Sequence, residues 1–176
     1  MCSLDEIVAR CKNGDRAARE QLYREFSPRM FAVCIRYSRT REEAEDNLQD
    51  GFIKVLESIK QYSGKGSFEG WMKRIFVNTA LEKYRRNTPV QLLGDLPEQE
   101  EEEGEGSMNV PGEVLLEFVS RLPEKYRMVF NLYVMEEKSH KEIAALVGIS
   151  EGTSKSNLAR AKEILRRKIK EYVKHE

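Results

Sequence analysis

The amino-acid sequence predicts an all-α protein made of two small helical domains joined by a flexible acidic linker. Apolar residues recur at intervals of three and four along most of the 176 residues, without the alternation that is typical of half-buried strands. Residues 89–111 break this periodicity and hold seven acidic and no basic side chains. The sequence therefore predicts domains at residues 1–88 and 112–176, with a linker at residues 89–111.

Helix start signals organise the first domain. Its first apolar stripe ends near Gly14, and a second one follows. Thr40 and Glu43 have the spacing of a capping box, in which the hydroxyl accepts a free amide and the glutamate reaches back. The segment YSGKGSF at residues 62–68 predicts a loop, and Ser67 is the expected cap of the next helix.

The second domain is predicted to contain a helix-turn-helix. Pro123 suits the first turn of a helix, and Ser139 with Glu142 forms a second capping box. The next helix stops at Gly148, which can adopt a left-handed backbone conformation, and Ser150 can cap the helix that follows. A short helix, a turn and a longer basic helix are the pattern in which the last helix enters the major groove of DNA.

One side of the last helix has the chemistry of a DNA-reading face. On a helical wheel, Ser154 and Leu158 lie on the inner side, and the outer side carries small or hydrogen-bonding residues followed by arginines. A basic helix alone is more often an amphipathic surface helix with solvated lysines, but the preceding turn favours DNA binding. The expected DNA-contacting residues are Thr153, Lys155, Ser156, Asn157 near the edge of the face, Arg160, Lys162 and Arg167.

Charge is distributed unevenly, although 30 basic and 30 acidic side chains give a net charge of zero. Residues 1–88 carry a net charge of +4, residues 89–111 carry −7, and residues 112–176 carry +3. Nucleic-acid binding responds to the local field rather than to the sum. The zero total therefore does not exclude a nucleic-acid partner.

Several classes of protein are excluded by the reactive residues. Cys2, Cys11 and Cys34 form neither a disulfide framework nor a CxxC pair, and are predicted core thiols of a reducing compartment. His140 and His175 lie outside motif distance of a metal-like set, and no glycine-rich phosphate loop occurs. We expect no catalytic site, metal or cofactor. The chain has no apolar run of signal-peptide or membrane-span length, which predicts a cytoplasmic protein without membrane insertion.

Two long segments resemble the promoter-binding regions of bacterial sigma factors. The segment AEDNLQDGFIKVLESIKQYSGKGSFEGWMKRIFVNTALEKYRR resembles sigma region 2, and RLPEKYRMVFNLYVMEEKSHKEIAALVGISEGTSKSNLARAKEILRRKI resembles region 4. With only a short linker between them, the chain resembles the extracytoplasmic-function group of the sigma-70 family. The resemblance implies a factor that binds core RNA polymerase, recognises minus-35 duplex DNA through the last helix and melts the minus-10 element.

The resemblance also implies a polymerase-binding surface on the helix containing DNLQDGFIKV, which in this family binds the clamp coiled coil of the β′ subunit. The polar residues of this helix recur three or four apart beside its apolar stripe. From spacing alone a solvated face without a partner is the more frequent case, and the resemblance reverses that preference. The expected polymerase-binding residues are Asp46, Gln49, Asp50, Phe52 and Ile53.

The segment GKGSFEGWMKRIFVNTALEKYRR is similar to the part of sigma factors that opens and reads the minus-10 element. Unstacked bases are held by aromatic faces or pockets, and the exposed strand is held by cations. Phe68 and Trp71 suit either stacking or the core, and the core is the more frequent role at helical spacing. The expected minus-10 residues are Lys65, Ser67, Phe68, Trp71, Lys73, Arg74, Asn78, Lys83, Arg85 and Arg86.

Ser154 and Asn157 depart from the β-branched residue and the arginine that the family often has at these positions. Asparagine pairs with adenine and arginine with guanine, so the minus-35 sequence is left open. The main alternative function is a conventional helix-turn-helix regulator that dimerises and binds duplex DNA unaided. A third is an adaptor between protein partners.

The resemblance implies several partners. They are core RNA polymerase, through its β′ clamp and β flap, promoter DNA, and an anti-sigma protein, with the free chain a monomer. The acidic run LPEQEEEEGEG at residues 96–106 is either a solvated spacer or a mimic of nucleic-acid phosphates. The second interpretation follows from related sigma factors, whose linker threads the basic channel of polymerase.

Overall fold

A computed structural model describes residues 3–88 and 110–175, and the regular secondary structure within these ranges is helical. The predicted all-α fold class is confirmed. The chain divides into two compact units, residues 1–83 and residues 84–176. The acidic run at residues 96–106 lies outside the described residues.

The first unit is built from helices that follow one another closely along the chain. A single 3₁₀ turn, Ile59–Gln61, continues the third helix before the glycine-containing loop. The helices are α1 Leu4–Lys12, α2 Arg16–Tyr37, α3 Arg41–Ser58 and α4 Phe68–Asn87, the last of which extends beyond the unit boundary.

Side chains at the predicted start signals cap these helices. The Thr40 hydroxyl accepts the Glu43 amide at 3.2 Å, as expected. The Glu43 carboxylate, however, accepts the amide of Arg39 at 2.8 Å, one residue before the cap itself. The Ser67 hydroxyl accepts the amide of Gly70 at 3.2 Å, so the predicted cap of α4 is confirmed.

The core of the first unit is mainly apolar. Its buried side chains include the thiols of Cys11 and Cys34, as predicted, and burial raises the pKa of Cys34 to about 12. Helix α3 approaches α4 at Gly51, where an added Cβ would lie 2.2 Å from Cε1 of Phe76. The largest fully buried apolar side chains of this unit are Ile7, Leu22, Phe26, Met30, Ile59, Met72 and Leu81.

The second unit packs shorter helices around one long one. Its core cluster comprises Val119, Leu122, Ala161 and Leu165, so the last helix supplies half of it. The elements after the boundary are α5 Gly112–Ser120, α6 Glu124–Phe130, a π-helical turn Asn131–Met135, α7 His140–Val147 and α8 Glu151–Lys174.

Helix α6 begins one residue later than the proline predicts. Pro123 is the residue before the helix rather than part of its first turn. The regular helix ends at Phe130, and a π-helical turn follows, which is a common feature near functional sites. Arg127 is 2% exposed, and its Nη1 donates to the carbonyls of Ser120 at 2.9 Å and Leu122 at 3.1 Å. This buried arginine therefore satisfies carbonyl groups where α5 ends.

Candidate nucleic-acid and polymerase interfaces

The turn between α7 and α8 has the predicted helix-turn-helix chemistry. Helix α7 begins with the expected capping box of Ser139 and Glu142 and ends at Gly148, whose φ is 78°. The amides of Gly148 and Ile149 both donate to the carbonyl of Ala144, at 2.9 and 3.2 Å. The Ser150 hydroxyl then accepts the Thr153 amide at 3.0 Å and starts α8.

A polar contact fixes α7 against α8. His140 is the first residue of α7, as expected, and its Nδ1 lies 2.9 Å from Oγ of Ser154 on α8. Ser154 is fully buried, and the His140 ring stacks on Tyr133 with centroids 4.8 Å apart. The family often has an apolar residue at the position of Ser154, whereas here a hydrogen bond joins the two helices.

The outer side of α8 carries most of the residues expected there. Its exposed members include Arg160, whose Nη1 lies 2.9 Å from a Glu163 carboxylate oxygen. Lys162 is half-buried, with its ammonium 6.0 Å from the centroid of the Tyr133 ring. Thr153 and Ser156 are half-buried, and Lys155 and Arg167 are exposed.

Asn157 corrects the sequence expectation on this helix. It was placed near the edge of the outer face, but only 6% of it is exposed. Leu158, which follows it, is 1% exposed, so the chain turns both residues inward. The amide of Asn157 therefore has little surface to offer a base edge.

The polar face of α3 is largely at the surface. Asp46 and Gln49 are exposed, Asp50 is half-buried, and Ile53 is an apolar side chain with 55% of its surface exposed. The described face of α3 therefore combines exposed polar groups with one exposed apolar side chain.

Phe52 lies in the core, as the apolar spacing of α3 predicts, and this burial conflicts with the polymerase contact that the resemblance implies. It is 5% exposed, and its ring packs 4.7 Å from the Tyr23 ring and 5.4 Å from the Phe76 ring, measured between centroids. Phe52 therefore stabilises the helix packing beneath the polar face and has little surface for a partner.

An aromatic cluster lies beside the glycine-containing loop before α4. The ring of Tyr62 lies 5.1 Å from that of Phe68 and 5.4 Å from that of Trp71. The Tyr62 hydroxyl donates to the carbonyl of Gly66 at 2.8 Å, which ties the two ends of the loop together. Phe68 is 4% exposed, so it belongs to the core rather than to a base-binding surface, and Trp71 is half-buried.

The cations expected to bind the minus-10 strand differ in their surroundings. Lys83 is not an open cation, because its ammonium contacts Asp50 and Asn47 on α3. The exposed cations are Lys65, Arg74, Arg85 and Arg86, and Lys73 is half-buried. The neutral Ser67 and Asn78 of the minus-10 set are exposed as well.

Two features were missed by sequence reasoning. The first is the role of Tyr62, which the sequence predicts only as part of a loop, although an aromatic residue immediately before a glycine-rich segment is a detectable signal. The second is the exposure of three consecutive apolar side chains, Tyr133, Val134 and Met135, which lie in the π-helical turn.

Within residues 3–88 and 110–175, no group of three or more histidine, cysteine or acidic side chains is placed to hold a metal ion. In the same part of the chain, no helix combines the length and apolar character needed to cross a bilayer.

Family models match both units. The sigma-70 region 2 model matches residues 22–89, and the sigma-70 region 4 model matches residues 112–165. Among curated relatives, the extracytoplasmic-function sigma factor SigE of Mycolicibacterium smegmatis is 31% identical over 164 residues, which cover 87% of this chain and 63% of the relative. SigW of Bacillus subtilis is 26% identical, with 93% of this chain and 95% of the relative covered.

A solved structure has the same fold. It is the sigma factor RpoE from Bartonella quintana in complex with the anti-sigma factor NepR, and it is 19% identical with a TM-score of 0.50. The alignment covers 86% of this chain and 96% of that one.

Two successive promoter-binding regions, each matched by its own model, define a bacterial sigma factor, and the chain belongs to the sigma-70 family. The two curated relatives named above are extracytoplasmic-function sigma factors. The chain is a promoter-recognising RNA polymerase sigma factor and not a conventional helix-turn-helix regulator. Sigma factors are DNA-recognition subunits rather than enzymes, and the non-enzyme interpretation fits this family.

Proposed function

We propose that this sigma factor divides promoter recognition between its two units. Helix α8 docks on minus-35 duplex DNA, while the first unit binds core polymerase and captures the minus-10 strand. The observation that carries the proposal is the two-sided character of α8. Ser154, Leu158 and Ala161 are buried on one side, and the cations Lys155, Arg160 and Arg167 are exposed.

Minus-35 recognition relies on the first half of α8. Thr153 and Ser156 are small enough to let the helix approach base edges closely, and Arg160 reaches guanine or a phosphate. Lys155, Lys162 and Arg167 neutralise phosphates at the rim of the groove. Asn157 acts from within the helix packing, so the base preference is set mainly by its neighbours.

Core binding relies on the polar face of α3. Asp46, Gln49 and Asp50 provide acceptors for basic residues of the β′ clamp coiled coil, and Ile53 provides an apolar anchor. On the second unit, the exposed Tyr133, Val134 and Met135 suit an apolar helix such as the β flap. Both contacts together place the two DNA-binding units on one enzyme.

Capture of the minus-10 strand relies on the aromatic loop and on α4. Lys65 and Ser67 lie on the exposed loop, and Tyr62 and Trp71 provide aromatic faces for an unstacked base. Phe68 supports these rings from the core. The strand backbone is held by Lys73, Arg74, Asn78, Arg85 and Arg86.

We propose the acidic run as a phosphate mimic within the polymerase channel, on the sequence alone. Replacing Glu100 through Glu103 with glutamine is expected to weaken core binding or early transcription. Unchanged behaviour in both assays would assign the run to a spacer role. An anti-sigma protein that covers the polymerase-binding surfaces, a monomeric free state and a cytoplasmic location complete the proposal.

Run-off transcription tests the whole proposal. Purified core enzyme is combined with promoter fragments, with and without this protein, and the expected result is a start site that depends on the protein. If no such start is found and the protein alone binds a duplex tightly and with strong salt dependence, the division of labour is refuted in favour of unaided duplex binding.

A further inference from the structure

The side chain of Lys83 is directed into the first unit. Its ammonium donates to the side-chain carbonyl oxygen of Asn47 at 2.6 Å and lies 2.5 Å from a carboxylate oxygen of Asp50. The Lys83 side chain is 29% exposed, and Asn47 is only 6% exposed. One cation on α4 therefore holds two polar groups on α3.

The contacts of Lys83 continue through the core to α2. The side-chain amide of Asn47 donates to the Ser38 hydroxyl at 2.8 Å, and that hydroxyl donates to the carbonyl of Cys34 at 2.7 Å. Ser38 is 1% exposed. An unbroken series of hydrogen bonds thus joins the end of α2, the middle of α3 and the end of α4.

Asp50 is where this series reaches the surface. Its side chain is 47% exposed and lies on the same face of α3 as Asp46, Gln49 and Ile53. A carboxylate that is held in one orientation before it meets a partner loses less conformational freedom on binding. The contact with Lys83 supplies that restraint.

A role for Lys83 in holding a DNA phosphate conflicts with these contacts. If its ammonium moved to a phosphate, the buried carbonyl oxygen of Asn47 would lose this donor, and Asp50 would lose its counter-charge. Both losses oppose the movement. Arg85 and Arg86 of the same helix are exposed, so contact of either one with a phosphate would not leave a buried group without its donor.

We propose that Lys83 is a positioning residue that fixes Asp50 for contact with core polymerase, rather than a phosphate contact of the minus-10 strand. The inference rests on the proposed polymerase-binding role of α3. It makes the end of α4 part of the polymerase-binding surface, through a residue that does not itself touch polymerase.

The same two helices provide a matched control. Lys54 on α3 contacts the carboxylate of Glu82 on α4, and their side chains are 37% and 53% exposed. This second pair has the same charges, but it does not include Asp50. Lys54→Met therefore removes an interhelical lysine pair without disturbing the series of hydrogen bonds.

The test measures the affinity of the full-length protein for core polymerase. Asp50→Asn and Lys83→Met are each expected to weaken binding roughly fivefold to tenfold, and the double variant no further than Asp50→Asn alone, because Lys83 acts only through Asp50. Lys54→Met is expected to bind core like the unchanged protein. The salt dependence of promoter binding by the Lys83→Met holoenzyme, assembled at saturating concentration, is expected to be unchanged.

Different outcomes separate the failure of this inference from that of the proposed function. If Asp50→Asn binds core normally, the polymerase role of this part of α3 is wrong. If Asp50→Asn weakens binding and Lys83→Met does not, or if the two losses multiply in the double variant, only the role of Lys83 is wrong. A salt slope lowered by about 1 in Lys83→Met would instead identify a phosphate contact.

Circular dichroism at the assay temperature establishes that each variant is folded. Should Lys83→Met fail to fold, Lys83→Gln replaces it, because its neutral amide keeps a donor near Asn47 and removes the charge facing Asp50. The same affinity and salt-slope criteria then apply to Lys83→Gln.

Discussion

Ion pairs of the two units differ in how far apart their partners lie along the chain. The first unit has local pairs such as Arg16 with Glu20. It also has pairs between helices, because Arg29 pairs with Glu69 across 40 residues and Lys54 pairs with Glu82 across 28. In the second unit, pairs such as Lys138 with Glu142 and Arg160 with Glu163 are local, four and three residues apart. The first unit thus assembles its surfaces from several helices, whereas the second presents one helix positioned by a turn.

This difference affects how each unit responds to substitution. A surface formed by α3 and α4 depends on how closely the two helices pack. A surface formed by α8 depends on the few residues that start this helix and set its angle to α7. Substitutions where α3 packs on α4 and substitutions along α8 and in the turn before it test this difference.

The largest effect is expected from Gly51→Ala in the first unit. Helix propensity alone would favour alanine by about 1 kcal/mol. The added Cβ would lie 2.2 Å from the buried Phe76 ring, however, so overpacking prevails and we expect a net loss of about 2 kcal/mol of unfolding free energy. Denaturant unfolding of the full chain measures it.

Gly70→Ala is the matched control for this substitution. Gly70 also lies in a helix, but its Cβ would meet its nearest neighbour, Cβ of Ser67, at 3.7 Å, an ordinary contact. The Gly70→Ala variant is expected to be as stable as the unchanged protein or slightly more stable. A Gly51→Ala variant as stable as Gly70→Ala would contradict the close packing of α3 on α4.

The next effect is expected at the DNA-facing side of α8. Arg160→Met should weaken minus-35 binding by the holoenzyme about tenfold and, if the arginine contacts a phosphate, lower the salt slope by about 1. The substitution also removes the exposed ion pair between Arg160 and Glu163, but this loss changes the result little, because such pairs are weak. Measuring promoter binding at several salt concentrations gives both the loss of affinity and the change in salt slope.

Arg166→Met serves as the control for Arg160. Arg166 is an exposed arginine of the same helix, but it projects about 120° away from Arg160 on the helical wheel. Equal losses from both substitutions would indicate general attraction by positive charge and would argue against a defined reading face.

A smaller effect is expected at the turn before α8. Gly148→Ala places a Cβ in open space, but alanine must adopt a φ of 78°, which costs about 1 kcal/mol. Thermal unfolding followed by circular dichroism measures the loss. Gly112→Ala, also in open space but without a positive φ, should change stability little. A Gly148→Ala loss no greater than that of Gly112→Ala would contradict the conformational argument.

The smallest effects are expected from two capping carboxylates, one in each unit. Hydrogen bonds from the backbone amides of Ala18 and Ser139 lower the pKa values of Asp15 and Glu142 below their ordinary 3.8 and 4.5. Since these folded-state pKa values are depressed, the stabilisation is present above the ordinary values and is lost as pH falls through the folded-state values.

Asp15→Asn and Glu142→Gln test this pH dependence. Each variant should show a shallower loss of stability than the unchanged protein as pH falls below about 4, measured by denaturant unfolding. Curves that stay parallel to that of the unchanged protein over this interval would show that the carboxylates do not contribute.

The extent of successful sequence prediction depends on how local each feature is. The caps at Ser67, Ser139 and Ser150 and the turn at Gly148 were predicted because each depends on residues within about four positions. The apolar spacing favoured the core for Phe52 and Phe68, but the inward position of Asn157 was not predicted, because a helical wheel cannot decide which side of a border residue its neighbours cover.

Sequence by itself determined the helical class, the two-domain order, the helix starts and the family of this protein, because these follow from periodicity, caps and contiguous motifs. Tertiary structure alone decided that Lys83 faces Asp50 and Asn47, that Tyr62 joins Trp71, and that a serine on α8 meets His140. These contacts join separate helices, and their geometry depends on how the helices pack rather than on the local sequence of either one.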